Sequence, residues 1–197
     1  MPDGGIGVRK TIDNVDKIRE RMATLTKSDV LVGIPAEKAS RPGTPINNAA
    51  LAYIHEFGSP AQNIPARPFL FPGVRAIQPQ AIALFKQGGR DVLQGATSPS
   101  VVLNKVGLLA RNSVVNAITD PVPPFVPLKP ATIRARLRKT AAGRRKLRGL
   151  KKIKDAASWD QAQSNAALSM WAEAGNIHPL IDTGQLRAAI SYVVRDT

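Results

Sequence analysis

The side chains best suited to proton transfer or metal binding in this chain are two histidines, His55 and His178, and a thin set of 14 acids. His55 and Glu56 adjoin in a segment of helical spacing. Neighbours on a helix point about 100° apart, so the two do not readily chelate one ion. A small nuclease would have to draw on Glu56, His55 and Asp182 together with a metal, and no acids or histidines stand at ligand spacing. Gly4, Gly5 and Gly7 follow no strand, which excludes a phosphate-cradling loop, and no Gly-x-Ser-x-Gly elbow occurs. There is no cysteine, hence no disulfide scaffold, thiolate zinc site or cysteine nucleophile. The expectation is a protein that is not an enzyme, with no catalytic residue, cofactor or metal.

Charge pairing with a polyanion is better represented. The chain carries 28 Lys and Arg residues. Twelve of them fall between Lys129 and Lys154 with no acid among them, which leaves 16 basic against 14 acidic residues elsewhere. The run comprises Lys129, Arg134, Arg136, Arg138, Lys139, Arg144, Arg145, Lys146, Arg148, Lys151, Lys152 and Lys154. It reads in two ways, as a solvated surface insertion or as a surface for phosphate or acidic protein. No aromatic residue lies within it, which argues against base stacking and sequence reading.

Elements must position these residues. With 197 residues and 43% hydrophobic content the chain can bury a core without staples. Residues 1–10 read as a tail without an apolar h-region, so no secretory signal is expected, and no apolar run is long enough to span a bilayer. Residues 11–197 read as one α+β domain, a small mostly antiparallel sheet packed against helices, with a basic helical or extended insertion at about 134–177. Ile12, Val15, Ile18, Met22 and Leu25 form a helical stripe. Val30, Val32 and Ile34 alternate as a strand that Pro35 ends, and Ile190, Tyr192 and Val194 alternate as the last strand. Asn47 caps a helix carrying Leu51, Ile54 and Phe57 on one face, with Gly58 beyond its end. Phe69, Leu70 and Phe71 read as extended and buried. Helices follow at about 77–93 and, after Ser98-Pro99, to Ile118. A stiff proline cluster, Pro121 to Pro130, leads into a helix through Thr132 to Arg138. Residues 156–174 read as helical, with Trp159 and Trp171 in different directions, one for core and one for an interface. Asp182-Thr183 caps a short turn before the last strand.

Three segments read together resemble a known family. They are Val30–Pro35 with Ala52-Tyr53-Ile54-His55-Glu56-Phe57-Gly58, then Ile64-Pro65-Ala66-Arg67-Pro68-Phe69-Leu70, then Pro179-Leu180-Ile181-Asp182-Thr183-Gly184-Gln185-Leu186-Arg187. In that order they are similar to the tail-completion and neck proteins of long-tailed double-stranded DNA bacteriophages, also called virion morphogenesis proteins. The likeness covers about residues 28–75 and 128–195 but not the basic run from Leu137 to Asn176. It implies a structural virion protein, a ring, most simply a hexamer, that completes the tail and helps join it to the DNA-filled head. The implied partners are further copies, tail-terminator and head-connector proteins, and DNA in the lumen without sequence specificity, with no membrane. The implied place is the virion neck, after assembly in the host cytoplasm. The alternative is a nucleic-acid-binding accessory protein gripping duplex DNA through residues 129–154. Within the second segment Arg67, between two prolines, is expected to offer its planar fork to a carboxylate of its own chain or of a neighbour. Its replacement by Lys would then weaken assembly more than folding. Arg134 to Lys154 are expected to face the ring lumen or an acidic neighbour.

Overall fold

Helix α5 (Pro99–Thr119) is the axis on which residues 15–33, 70–93 and 191–196 pack. Leu103, Val106, Ala110, Val114 and Ile118 recur every three or four residues and, with Val102, are all buried, so one face of α5 is continuously apolar. Pro99 occupies the first helical position, where a missing N–H costs nothing. Ser98 stands at the cap position, but its hydroxyl meets Ser100 Oγ at 3.0 Å instead of a helix N–H.

This computed structural model describes residues 15–156, 161–174 and 177–196. Among them, α1 is Val15–Thr26, β1 Ser28–Gly33, α2 Asn48–Phe57, α3 Leu70–Ala76 and α4 Gln78–Leu93. After α5 come α6 (Pro130–Arg138), α7 (Ala141–Ala156), α8 (Gln161–Ala174), α9 (Gln185–Ala189) and β2 (Ser191–Asp196). The class is α+β, mostly helical with a two-stranded antiparallel sheet. Val30 lies opposite Val194 and Val32 opposite Tyr192. These four are half-buried toward α5, whereas Leu31 and Val193 point outward. The ring of Tyr192 lies against α5 at Gly107, where any Cβ would collide with it. The Tyr192 hydroxyl reaches Asn104 Oδ1 at 3.1 Å. No described helix is long and apolar enough to cross a membrane.

Two apolar clusters hold the chain. Phe69, Val114, Ile118, Leu180 and Ile190 form the larger, with Val32 and Ile34 packed against it. Ile133, Leu137 and Leu168 form the smaller, beneath Leu147. The basic segment is thus a helical hairpin, α6 and α7, seated on its own core with α8. The helix expected from Ile12 is described from Val15 onward. Trp159 and the side chain of Trp171 lie outside the described residues.

Three local expectations change. Phe69 is buried, but Leu70 and Phe71 begin α3 instead of an extended segment. Pro72 sits in the first turn of that helix, where proline is tolerated. Phe57, expected to anchor the inner face of α2, is 55% exposed, and the residue turned inward beside it is Glu56. The cap position of α9 is Gly184, at φ 77°, because Asp182 is engaged elsewhere.

Candidate functional site

Asn47 starts α2 as expected, its Oδ1 accepting from Ala50 N–H at 2.7 Å. Nine residues later, at the other end of the helix, the Glu56 carboxylate is buried and aimed at the start of α3. Oε2 accepts from Phe69 N–H at 2.8 Å and Leu70 N–H at 2.9 Å, and Oε1 from Phe71 N–H at 3.1 Å. A helix N-terminus offers unsatisfied donors and a positive dipole end, so one buried anion there satisfies three orphan N–H groups. The chain between is tied just as closely. Ser59 and Ile64 form an antiparallel bridge, and Arg67 N–H donates to His55 O at 2.6 Å. Gly58 has φ 77° and ψ 178°, and a Cβ there would lie 2.9 Å from Ala66 N, so the turn admits glycine alone. His-Glu-Phe-Gly and Pro-Ala-Arg-Pro-Phe are therefore one structural unit.

Arg67 is 6% exposed and meets no carboxylate. Its Nε donates to Val126 O at 3.0 Å and its Nη2 to Pro127 O at 3.3 Å. The proline-rich strap explains the difference: an extended segment short of N–H groups pairs with no strand, so its carbonyls remain free to accept. Arg136 behaves likewise. Nη1 donates to His178 O at 2.6 Å and Ile181 O at 2.9 Å, and Nη2 to Pro179 O at 3.0 Å. Its Nε stands 4.0 Å from Asp182 Oδ1, and Lys139 Nζ lies 2.5 Å from Asp182 Oδ2. The hydrogen bond from Lys139 holds the Asp182 carboxyl below its ordinary range. Burial lowers the proton affinity of both guanidinium groups. Arg67, expected at a carboxylate of its own chain or of a neighbour, holds backbone carbonyls of its own chain, and Arg136 and Lys139 are engaged at residues 178–182, Lys139 while still exposed. Asp182, expected to cap a turn, is the anion they meet.

His55 shares this cationic neighbourhood. Burial, and then the charges of Arg67, Arg136 and Arg41, lower its pKa to about 4, so it is neutral at physiological pH. Its Nδ1 is buried without a hydrogen-bond partner. Glu56, beside it in sequence, is occupied with backbone N–H groups. Among the described residues no three His, Asp or Glu side chains converge as a metal-binding group.

The other basic residues sit differently. Arg134 is half-buried, whereas Arg138, Arg144, Arg145, Lys146 and Arg148 are exposed. Thr140 caps α7, its Oγ1 accepting from Gly143 N–H at 3.0 Å. Arg144 Nη1 donates to Arg138 O at 3.0 Å, joining the start of α7 to the end of α6. Lys151, Lys152 and Lys154 belong to α7, and their side chains lie outside the described residues.

No family model matches the chain, and no solved structure matches it. It is similar to the uncharacterized protein MJ0331 of Methanocaldococcus jannaschii, with 53% identity over 32 residues. That stretch is 16% of this chain and spans about a quarter, 24%, of the archaeal protein. The likeness carries no function.

One surface feature escaped the sequence reading. Tyr53 and Phe57 stand one helical turn apart on α2 with ring centroids 4.8 Å apart, and Phe71 of α3 meets Phe57 edge-on at 6.2 Å. All three are more than half exposed. They border a cleft of about 240 Å³ floored by Ile34, Ala52, Phe69 and Leu70. The i,i+4 spacing of Tyr53 and Phe57 was a usable signal. The third ring was hidden because Phe71 was expected in the core.

Proposed function

We propose that this chain is a structural protein of the neck of a long-tailed bacteriophage, a protomer of a homo-oligomeric ring that completes the tail and joins it to the DNA-filled head. The observation that carries this reading is the joining of the resembling segments through their motif residues. Glu56 of the first segment caps the helix that the second segment opens. Arg136, just past Pro130-Ala131-Thr132-Ile133, grips the carbonyls and carboxylate of the third. The polar residues of these motifs hold backbone in place, which suits a scaffold. Of their most reactive-looking pair, Glu56 is occupied in holding the fold, and His55 is half-buried and kept neutral by burial and the neighbouring arginines. The Tyr53–Phe57–Phe71 patch supplies apolar surface of the kind subunit contacts bury. A contact between identical copies that closes a ring is head-to-tail, so this patch would meet a different surface of the next copy.

The test is a phage lacking this chain. Free tails beside DNA-filled heads are the expected image, and a reconstruction of the parent virion should show symmetric copies at the joint. Intact virions from the deletion, or a single asymmetric copy in the parent, would reject the reading.

A further inference from the structure

Arg138, Arg144, Arg145 and Arg148 of the α6–α7 hairpin form an exposed cationic surface that takes part in no ion pair among the described residues. On α7 the positions of Arg144, Arg145 and Arg148 span an arc of about 100°. That arc faces away from buried Gly143 and half-buried Leu147, which seat the helix on the smaller core. Arg138, at the end of α6, adjoins through the Arg144 hydrogen bond. The ion pairs among the described residues are Asp16 with Arg19 and Asp182 with Arg136 and Lys139. None involves Arg138, Arg144, Arg145 or Arg148. Arg144 and Arg148 are like charges one turn apart, an arrangement that destabilises an isolated helix. The molecule therefore maintains a self-repelling surface on a separately cored support.

We infer that this surface binds the phosphate backbone of duplex DNA without reading its sequence. Three observations favour that partner. The charge is concentrated: residues 129–154 carry +12 of a net +14, so attraction is focused on one element. The exposed cations are mainly arginines, whose planar fork fits phosphate oxygens in pairs. The support is a helix of 16 residues, about 24 Å long, beside a partner that presents one charge per roughly 1.7 Å of axis. No aromatic side chain lies in the hairpin to stack on bases, so single strands gain no advantage. The inference does not depend on the neck reading, because it concerns the purified chain and naked DNA.

The experiment is fluorescence-anisotropy titration of the full chain with labelled 30-base-pair duplexes of two unrelated sequences, from 50 to 200 mM salt. Three phosphate contacts predict equal affinity for the two duplexes and a loss of about 40-fold across that salt range. The Arg144→Gln/Arg145→Gln/Arg148→Gln variant should bind at least tenfold more weakly at 100 mM salt, with a log–log salt slope shallower by about 3. The Arg145→Gln/Arg148→Gln variant, which keeps the Arg144 contact to α6, should lose about two-thirds of that slope. A charge-matched control, Arg75→Gln/Lys86→Gln/Arg90→Gln, removes exposed cations elsewhere and should bind like the parent. Circular dichroism of each variant checks folding. Equal losses in control and hairpin variants would overturn the inference, as would preference for one duplex sequence. So would polyglutamate or phosphatidylserine vesicles competing as well as unlabelled duplex. A virion image does not enter this test, so its outcome and that of the neck reading are separable.

Discussion

The junction at Glu56 and the surface of the α6–α7 hairpin treat charge in opposite ways. At the junction one buried anion is enclosed by three N–H groups, and the nearby cations Arg67 and Arg136 are enclosed by carbonyls. On the hairpin, Arg145 and Arg148 are exposed and join no ion pair among the described residues. In the first region polar groups are solved by backbone, which fixes one conformation. In the second they are left to solvent, which adds nothing to the fold. Residue type does not separate the two classes, since Arg136 and Arg138 are two positions apart on one helix. The side of the helix separates them.

The sharpest way to break this contrast is at Glu56. Glu56→Ala leaves three N–H groups at the buried start of α3 without an acceptor. At about 1–3 kcal/mol per orphaned donor, the expected loss is at least about 3 kcal/mol, measured by urea denaturation. Glu56→Gln keeps one acceptor oxygen and should lose less. A Glu56→Ala loss under about 1 kcal/mol would mean that water replaces the carboxylate freely and the junction is not a clamp.

A pH series sharpens the same comparison through His55. Its folded pKa, about 4, lies below its unfolded value near 6.5. Between those values the unfolded chain binds more protons, so stability rises with pH through the window. The contribution is complete above about pH 7 and is lost toward pH 4. It is worth about 3 kcal/mol at roughly 1.4 kcal/mol per pH unit. Asp182 is linked with the same sign, at lower pH. Its depressed folded pKa adds stability above its unfolded pKa near 4, lost as pH falls through the folded value, so it acts below the histidine window. His55→Gln should flatten the unfolding free energy between pH 4 and 7. An unchanged slope in the variant would assign the acid limb to other groups.

The smallest effect compares two arginines. Arg67→Lys keeps the charge but loses the fork that spans the Val126 and Pro127 carbonyls, and should cost about 1–2 kcal/mol in folding. Arg145→Lys should stay within about 0.5 kcal/mol of the parent. Equal values would erase the distinction between the regions.

Much of the frame was legible because it rests on periodicity. The stripe on α5, the alternation in β1 and β2, the Asn47 cap and the prolines opening α4, α5 and α6 all follow local rules. The misread residues were governed by partners distant in sequence. Phe71 entered a helix because Glu56, fifteen positions earlier, supplies its cap. Arg67 turned inward toward carbonyls about sixty positions away. Arg136 and Lys139 looked like members of a charge run until Asp182 and the 178–181 carbonyls met them. Local pattern reports which side chains can be buried, but a buried polar group is decided by whatever tertiary acceptor reaches it.

The sheet joins residues 28–33 to 191–196, so most of the described chain lies between its two strands. During synthesis β1 emerges early and stays without its ladder until the last of these residues has left the ribosome. Until then the seat at Gly107, cut for the ring of Tyr192, is empty, and the apolar edge of β1 is uncovered. A product that stops short of Ser191 would carry both defects outward, as a sticky edge and a vacant socket on one face. The closing strand thus covers both at once, pairing the edge of β1 and filling the socket with one segment.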